Sequence, residues 1–194
     1  MGLGEAPDDD TCSMSRITIV PIGAVPPKLL GAVVDRVGRA YGTRVQVRHH
    51  PIDPAPTFHP ERQQYHSTEL LRLLLSSAEP ADGTVVGLTP VDLYIPILTY
   101  LFGEAEHGGR GAVVGFHRLR EEFYGLPGNS ALLADRTVKE VLHELGHTYE
   151  LTHCDDYECL MASAHSVERV DLKTERFCRI CTAALGSNLV RAPW

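Results

Sequence analysis

The stretch His143-Glu144-Leu145-Gly146-His147 constrains this chain more than any other. On a helix, residues four apart lie one turn apart on the same face, so two imidazoles there can meet at one metal ion. A catalytic zinc takes three protein ligands and keeps one tetrahedral position open. His153, six residues after His147, can supply the third. The helix must then end between them, and the chain must turn back. Glu144 lies beside the first imidazole, placed to accept the proton of a water at the open position. A bare His-Glu-x-x-His also arises by chance on solvated helices; the third histidine argues against that reading. His49, His50, His59, His66 and His107 are expected to face solvent. His117 and His165 are candidates for lining a cleft, beside ordinary surface or core roles.

Four cysteines crowd the same region. Cys154 follows His153 directly, Cys159 comes five later, and Cys178 and Cys181 form a Cys-x-x-Cys pair. Four thiolates in two pairs can close a tetrahedral zinc site with no open position, which makes such a site structural. Disulfides or plain buried thiols are the alternatives. A cytoplasmic location favours metal, because a reducing compartment disfavours disulfides. Cys12 has no partner nearby in sequence.

Composition bounds the remaining possibilities. The chain has 194 residues, of which 43 % are apolar and 22 % charged. It can therefore bury a core without staples. The net charge is -7 and no basic stripe is visible, which excludes nucleic acid as the natural partner. No apolar run reaches the roughly 18–20 residues that span a bilayer, so no membrane is expected. The acidic N-terminus lacks the basic and apolar regions of a secretory signal. The expectation is a cytoplasmic protein acting as a monomer, with residues 1–14 as a disordered tail.

Periodicity organises the rest. Residues 16–22 read as a buried strand, and Pro26 and Pro27 open a helix to about Arg39. Next come a half-exposed strand at 43–49, a Pro-rich loop at 51–60, a helix at 66–78 and a strand at 84–88. This β-α-β-α-β order predicts a largely parallel sheet. Strands at 98–102 and 112–117 have no helix between them and are expected to pair antiparallel, one of them at the sheet edge. A helix over about 135–149 carries the histidines, with Val138, Leu142, Leu145 and Tyr149 as its apolar stripe. A last helix is expected near 178–190. The chain divides into a disordered tail (1–14), a catalytic subdomain (15–153) and a C-terminal subdomain (154–194).

Taken together these residues resemble the archaemetzincins, a family of metzincin zinc peptidases. The motif reads His143-Glu144-x-x-His147-x-x-Glu150-x-x-His153-Cys154, then Cys159-Leu160-Met161, then Cys178-x-x-Cys181. The stretch 91–104 is similar too. The resemblance implies an α/β (α+β) zincin fold with a mixed, twisted five-stranded sheet and one antiparallel edge strand. It implies two zinc ions. One is catalytic, on His143, His147 and His153. The other is structural, on Cys154, Cys159, Cys178 and Cys181. Glu144 becomes general base and then general acid. Met161 becomes the Met-turn residue beneath the metal, and Leu98, Thr99, Tyr100, Leu101 and Phe102 the edge strand that pairs with a peptide or protein substrate. Tyr149, Tyr157 and His165 are candidates to help stabilise the oxyanion.

One position departs from the pattern. Glu150 stands where the family has glycine, at a turn that favours φ > 0. Either the metal site absorbs a cost on the order of 1 kcal/mol, or the turn is reshaped, or the Glu150 carboxylate intrudes on the metal. That departure keeps open a zinc-stabilised peptide-binding protein with little turnover. A zinc hydrolase of non-peptide amides is the other alternative.

Overall fold

The computed structural model describes residues 16–186. The expected tail at 1–14, Cys12 and the last part of the expected C-terminal helix lie outside them. The first half of the chain runs β1 (Ile17–Pro21), α1 (Pro27–Tyr41), β2 (Val45–Val47), β3 (Phe58–His59), β4 (Gln64–His66), α2 (Ser67–Ser76) and β5 (Thr84–Thr89). It continues with β6 (Leu93–Ile95), β7 (Leu98–Leu101), β8 (Gly103–Ala105), β9 (Gly111–Gly115), α3 (Ser130–Thr148), α4 (Val167–Leu172) and α5 (Arg179–Ala184).

The main sheet has five strands in the order β2-β1-β5-β9-β8. All its pairs are parallel except β8 with β9. The central β5 is buried along its whole length, as a parallel strand covered on both faces must be. Val86 and Leu88 face α1 and α3, packing with Leu29, Val33, Val37, Val138, Val141, Leu142 and Leu145. Val85 faces α2 with Leu70, Leu71 and Leu74. Each of these side chains contributes about 2 kcal/mol on burial, so helices are held on both faces. Gly87 keeps α2 close, because a Cβ there would lie 2.9 Å from Ile22 and 3.1 Å from Leu74.

The edge differs from the expectation. Residues 98–101 do not pair with 112–117; only Phe102 bonds there, its carbonyl accepting the Gly115 N–H at 2.8 Å. Instead β7 turns back on β6 in a four-stranded second sheet, β3-β4-β6-β7, and β8 pairs with β9. Pro96-Ile97 is a two-residue turn closing Ile95 against Leu98, a contact so local that it forms in preference to a distant one. Phe102, 3 % exposed, enters the main core where the chain passes from one sheet to the other. Apart from β7, the strands of the second sheet left no sequence signal because they are two to three residues long, too short for a period to show.

The helix boundaries also shift. The α3 helix starts at Ser130 rather than about 135, because the Asn129 side chain caps it by accepting the Leu132 N–H at 3.1 Å. Helix α5 spans only Arg179–Ala184.

The end of α3 decides where His153 goes. The Leu151 N–H donates to Gly146 O at 3.0 Å and the Glu150 N–H to His147 O at 3.1 Å. This is the Schellman pattern, which requires a left-handed residue, and Glu150 supplies it with φ 67. The turn keeps the glycine geometry and takes the strain. Glu150→Gly should therefore raise stability by up to about 1 kcal/mol, read as a higher thermal midpoint; a lower midpoint would show that the Glu150 side-chain contacts outweigh the strain.

Candidate active site

The three histidines expected as ligands come together. One ring nitrogen each of His143, His147 and His153 lies within 4.8 Å of the others. His143 and His147 project from the last turns of α3, and His153 returns after the reversal at Glu150. Each of the helix pair is oriented by a backbone carbonyl. His143 Nδ1 donates to Leu160 O at 2.9 Å and His147 Nδ1 to Leu151 O at 2.7 Å. Those bonds leave the Nε2 atoms as lone-pair donors, 3.1 Å apart. Two nitrogens about 2.1 Å from one tetrahedral ion stand about 3.3 Å apart, so this donor set fits zinc. Burial lowers the pKa of all three rings, most strongly for His143, and the nearby Lys173 charge adds to it. The neutral, metal-binding form is favoured.

The four thiols converge as well. All four sulfurs lie within 4.8 Å of one another. Cys154 and Cys178 are 3.8 Å apart, Cys159 and Cys181 3.7 Å. Disulfide sulfurs would stand near 2.05 Å. Sulfurs about 2.3 Å from a tetrahedral zinc stand about 3.8 Å apart, so this set fits too. The Cys181 backbone N–H holds the Cys178 thiol down to about 7, while burial pushes Cys159 and Cys181 up. The Cys154 N–H donates to Met161 O at 2.9 Å, tying the strand after His153 to Met161.

Met161 is fully buried against the zinc-site helix. A Cβ at Gly146 would lie 2.4 Å from its Sδ, so the glycine between the histidines makes room for that sulfur. Glu144 is 5 % exposed, and burial raises its carboxyl well above the usual range, with Glu140 adding to the effect. Gly103 of β8 leaves the carboxylate its space, for a Cβ there would lie 2.6 Å from Glu144 Oε1.

These groups open on a cleft of about 260 Å³ lined by residues 98–103, Glu140, His143, Glu144, His153 and Ser163–His165. Residues 98–101 thus border the cleft as the edge of the second sheet, while Phe102 turns its ring into the core. A larger hollow, about 670 Å³, lies between Glu150–Asp156 and α5. It contains thiols but no Glu144, and His153 borders both. Glu150 is exposed, with its carboxylate against Gly108, and takes no part in the imidazole cluster. Tyr149 packs at a tilt against Tyr41 at the core and Tyr157 is 58 % exposed outside the cleft, so of the three oxyanion candidates only His165 lines it. His59 and His66 are half-buried rather than solvent-facing, because their rings pack edge-on against Tyr94.

Sequence reasoning missed one buried ion pair at this site. Lys173 Nζ lies 2.9 Å from Glu140 Oε1, with side chains 1 % and 4 % exposed. Glu140 stands three residues before His143 and four before Glu144, so helical spacing already placed it on their face. The segment around Lys173 is laced to α3 by more than this pair. Arg136 grips Asp171 with two bonds of 2.7 Å, and Lys139 reaches the carbonyls of Val170 and Asp171.

With this geometry in view, residues 58–187 match the sequence model of peptidase family M54. The archaemetzincin of Thermococcus kodakarensis is 41 % identical over 182 residues, covering 91 % of this chain and 98 % of that protein. The chain belongs to peptidase family M54, the family of the archaemetzincins. That membership makes it a zinc metallopeptidase. The archaemetzincin of Methanocaldococcus jannaschii is 38 % identical, covering 88 % of this chain and 92 % of its own. Among solved structures, the Methanopyrus kandleri archaemetzincin superposes with a TM-score of 0.78 at 34 % identity, covering 89 % of this chain and 94 % of that one. A zinc-dependent peptidase from Methanocorpusculum labreanum gives 0.78 at 30 % identity, covering 88 % and 100 %. The M54 fold thus extends over nearly the whole chain. No helix among the described residues is long and apolar enough to cross a membrane.

Removing one charge of the Glu140–Lys173 pair strands the other without solvent. Lys173→Met should cost about 3–5 kcal/mol in denaturant unfolding, and the double change with Glu140→Leu should recover most of it. Equal losses in both variants would show that the pair contributes packing alone.

Proposed function

We propose that the chain hydrolyses peptide bonds in extended peptide or protein substrates, with Glu144 as the proton-transfer group. His143, His147 and His153 hold the catalytic zinc in this reading. Cys154, Cys159, Cys178 and Cys181 hold a second, structural zinc within a small C-terminal subdomain after His153. The observation that carries the reading is the placement of the Glu144 carboxylate next to three convergent imidazoles on a cleft edged by a β-strand. When bound, the zinc supplies Lewis acidity that polarises a carbonyl and acidifies water. An extended peptide lies along Leu98, Thr99, Tyr100 and Leu101, adding a strand to the free edge of the second sheet.

Glu144 takes a proton from the attacking water and passes it to the leaving amine. Its burial raises the carboxylate's proton affinity, so the ionised side chain is a stronger base than an exposed glutamate. The facing Gly103 leaves that carboxylate unobstructed. Met161 under the helix and the carbonyls of Leu151 and Leu160 fix the rings that hold the metal. The four-thiol site anchors Cys154, and with it the adjoining His153. A cytoplasmic location belongs to the same reading, because reduced thiols bind metal where oxidised ones cannot.

Glu144→Ala should abolish turnover of a mixed peptide library while metal analysis still finds two zinc ions per chain. Retained turnover would remove Glu144 from the mechanism. Gly103→Ala, which displaces the carboxylate without touching a metal ligand, should lower kcat/KM by about 100-fold with zinc content unchanged.

A further inference from the structure

The cleft has two ends. At one, Gly103 faces Glu144; at the other, the cleft is lined by Leu98 and Thr99. Arg62 lies beyond the lining residues of the cleft and grips the strand at the second end. Its Nη2 donates to Leu98 O at 2.9 Å and to Thr99 O at 3.1 Å. Its Nε donates to Gln64 Oε1 at 3.1 Å, and the guanidinium lies 4.3 Å over the Tyr94 ring. The β3–β4 turn delivers it there at a cost, for the next residue, Gln63, is held at φ 55. Strain of this kind persists where the surroundings over-determine it, often at ligand clamps.

The charges around Arg62 are uneven. Asp92, the carboxylate of this face, is already gripped by both arms of Arg118 at 2.7 and 2.8 Å, and by Gln64 at 3.1 Å. Arg118 in turn lies 4.3 Å over Tyr100, which lines the cleft. No carboxylate among the described residues pairs with Arg62, and its Nη1 has no hydrogen-bond partner among them. A fixed guanidinium with a free arm at the end of a peptide-binding strand suits a planar anion.

The polarity of the strand says which end of a substrate arrives there. A peptide antiparallel to β7 runs from the Gly103 end towards Leu98. With the scissile bond at Glu144, the residues after that bond lead to Arg62. Four to five strand residues separate Gly103 from Thr99 and Leu98, about 14–17 Å. The peptide thus reaches Arg62 about four to five residues beyond the cleaved bond. Because Arg62 and Gln64 occupy the carbonyls of Leu98 and Thr99, the strand offers little pairing past that point.

We propose that Arg62 closes the downstream end of the cleft and binds the C-terminal carboxylate of short substrates, so that the enzyme removes segments of about four to five residues from free C-termini. This inference rests on the peptidase reading above. The test is a series of peptides with one to six residues after the cleaved bond, each made as free acid and as C-terminal amide. In the parent, the free acid should be cleaved at least about tenfold faster than the amide, with the preference peaking near four to five residues. Arg62→Ala should bring the acid-to-amide ratio to about one while cleavage of the amides persists; Arg62→Lys should keep part of the preference. A purely structural Arg62 would lower both rates and leave the ratio alone, which overturns the proposal. Equal cleavage of acids and amides by the parent also overturns it and leaves the peptidase reading standing. If the zinc-loaded parent cleaves no peptide, both fall.

Discussion

The site depends on one chain reversal. Helix α3 supplies two imidazoles on one face, and nothing in the helix itself can supply the third. The 6→1 hydrogen bond from Leu151 to Gly146 closes the helix and sends the chain back along its own end. Glu150 must adopt φ 67 for that bond to form. A glutamate in that conformation is strained by about 1 kcal/mol, against the many contacts that the reversal makes possible. Leu151 O orients His147, and His153 comes to face the helix. The geometry survives the loss of glycine because several interactions demand it and only one side chain resists.

Beyond the reversal, the C-terminal segment is clamped back onto α3. Residues from Val170 to Lys173 are bound to that helix by Arg136, Lys139 and the buried Glu140–Lys173 pair. Glu158 O accepts from Thr174, and Leu160 donates to Arg176 O. Since Leu160 O also orients His143, the C-terminal segment positions an imidazole on the helix it packs against. Met161 fills the space that Gly146 leaves, so sulfur and helix fit by shape. The catalytic helix and the thiol cluster therefore form one packed unit around the imidazoles.

The same economy appears on the other side of the cleft. Gly103 serves two sheets at once. As the first residue of β8 it pairs with Val114, and as a residue without a Cβ it faces Glu144. The turn from the second sheet into the first thus sets the distance between the strand bordering the cleft and the Glu144 carboxylate. The aromatic and guanidinium stack of Tyr100, Arg118 and Phe123 supports that strand from its face.

Much of this was legible in residue order alone. The convergence of His143, His147 and His153 was readable because residues four apart share a helix face, and spacing is a property of sequence. The parallel strands and the helices of the first half were readable because burial on one or two faces writes a period into the chain. That the helix had to stop between His147 and His153 was readable too, but of the outcomes open for Glu150 only the structure selected the αL turn. Tertiary structure alone decided to which sheet the strand bordering the cleft belongs. The run 98–105 looks continuous, yet its two halves pair in different sheets, because a two-residue hairpin at Pro96-Ile97 competes successfully with a more distant partner. It alone decided that Lys173 meets Glu140 thirty-three residues away, and that Arg62 meets Leu98. Such pairs carry no period and no motif; they exist only once the burial of apolar faces has brought distant segments together.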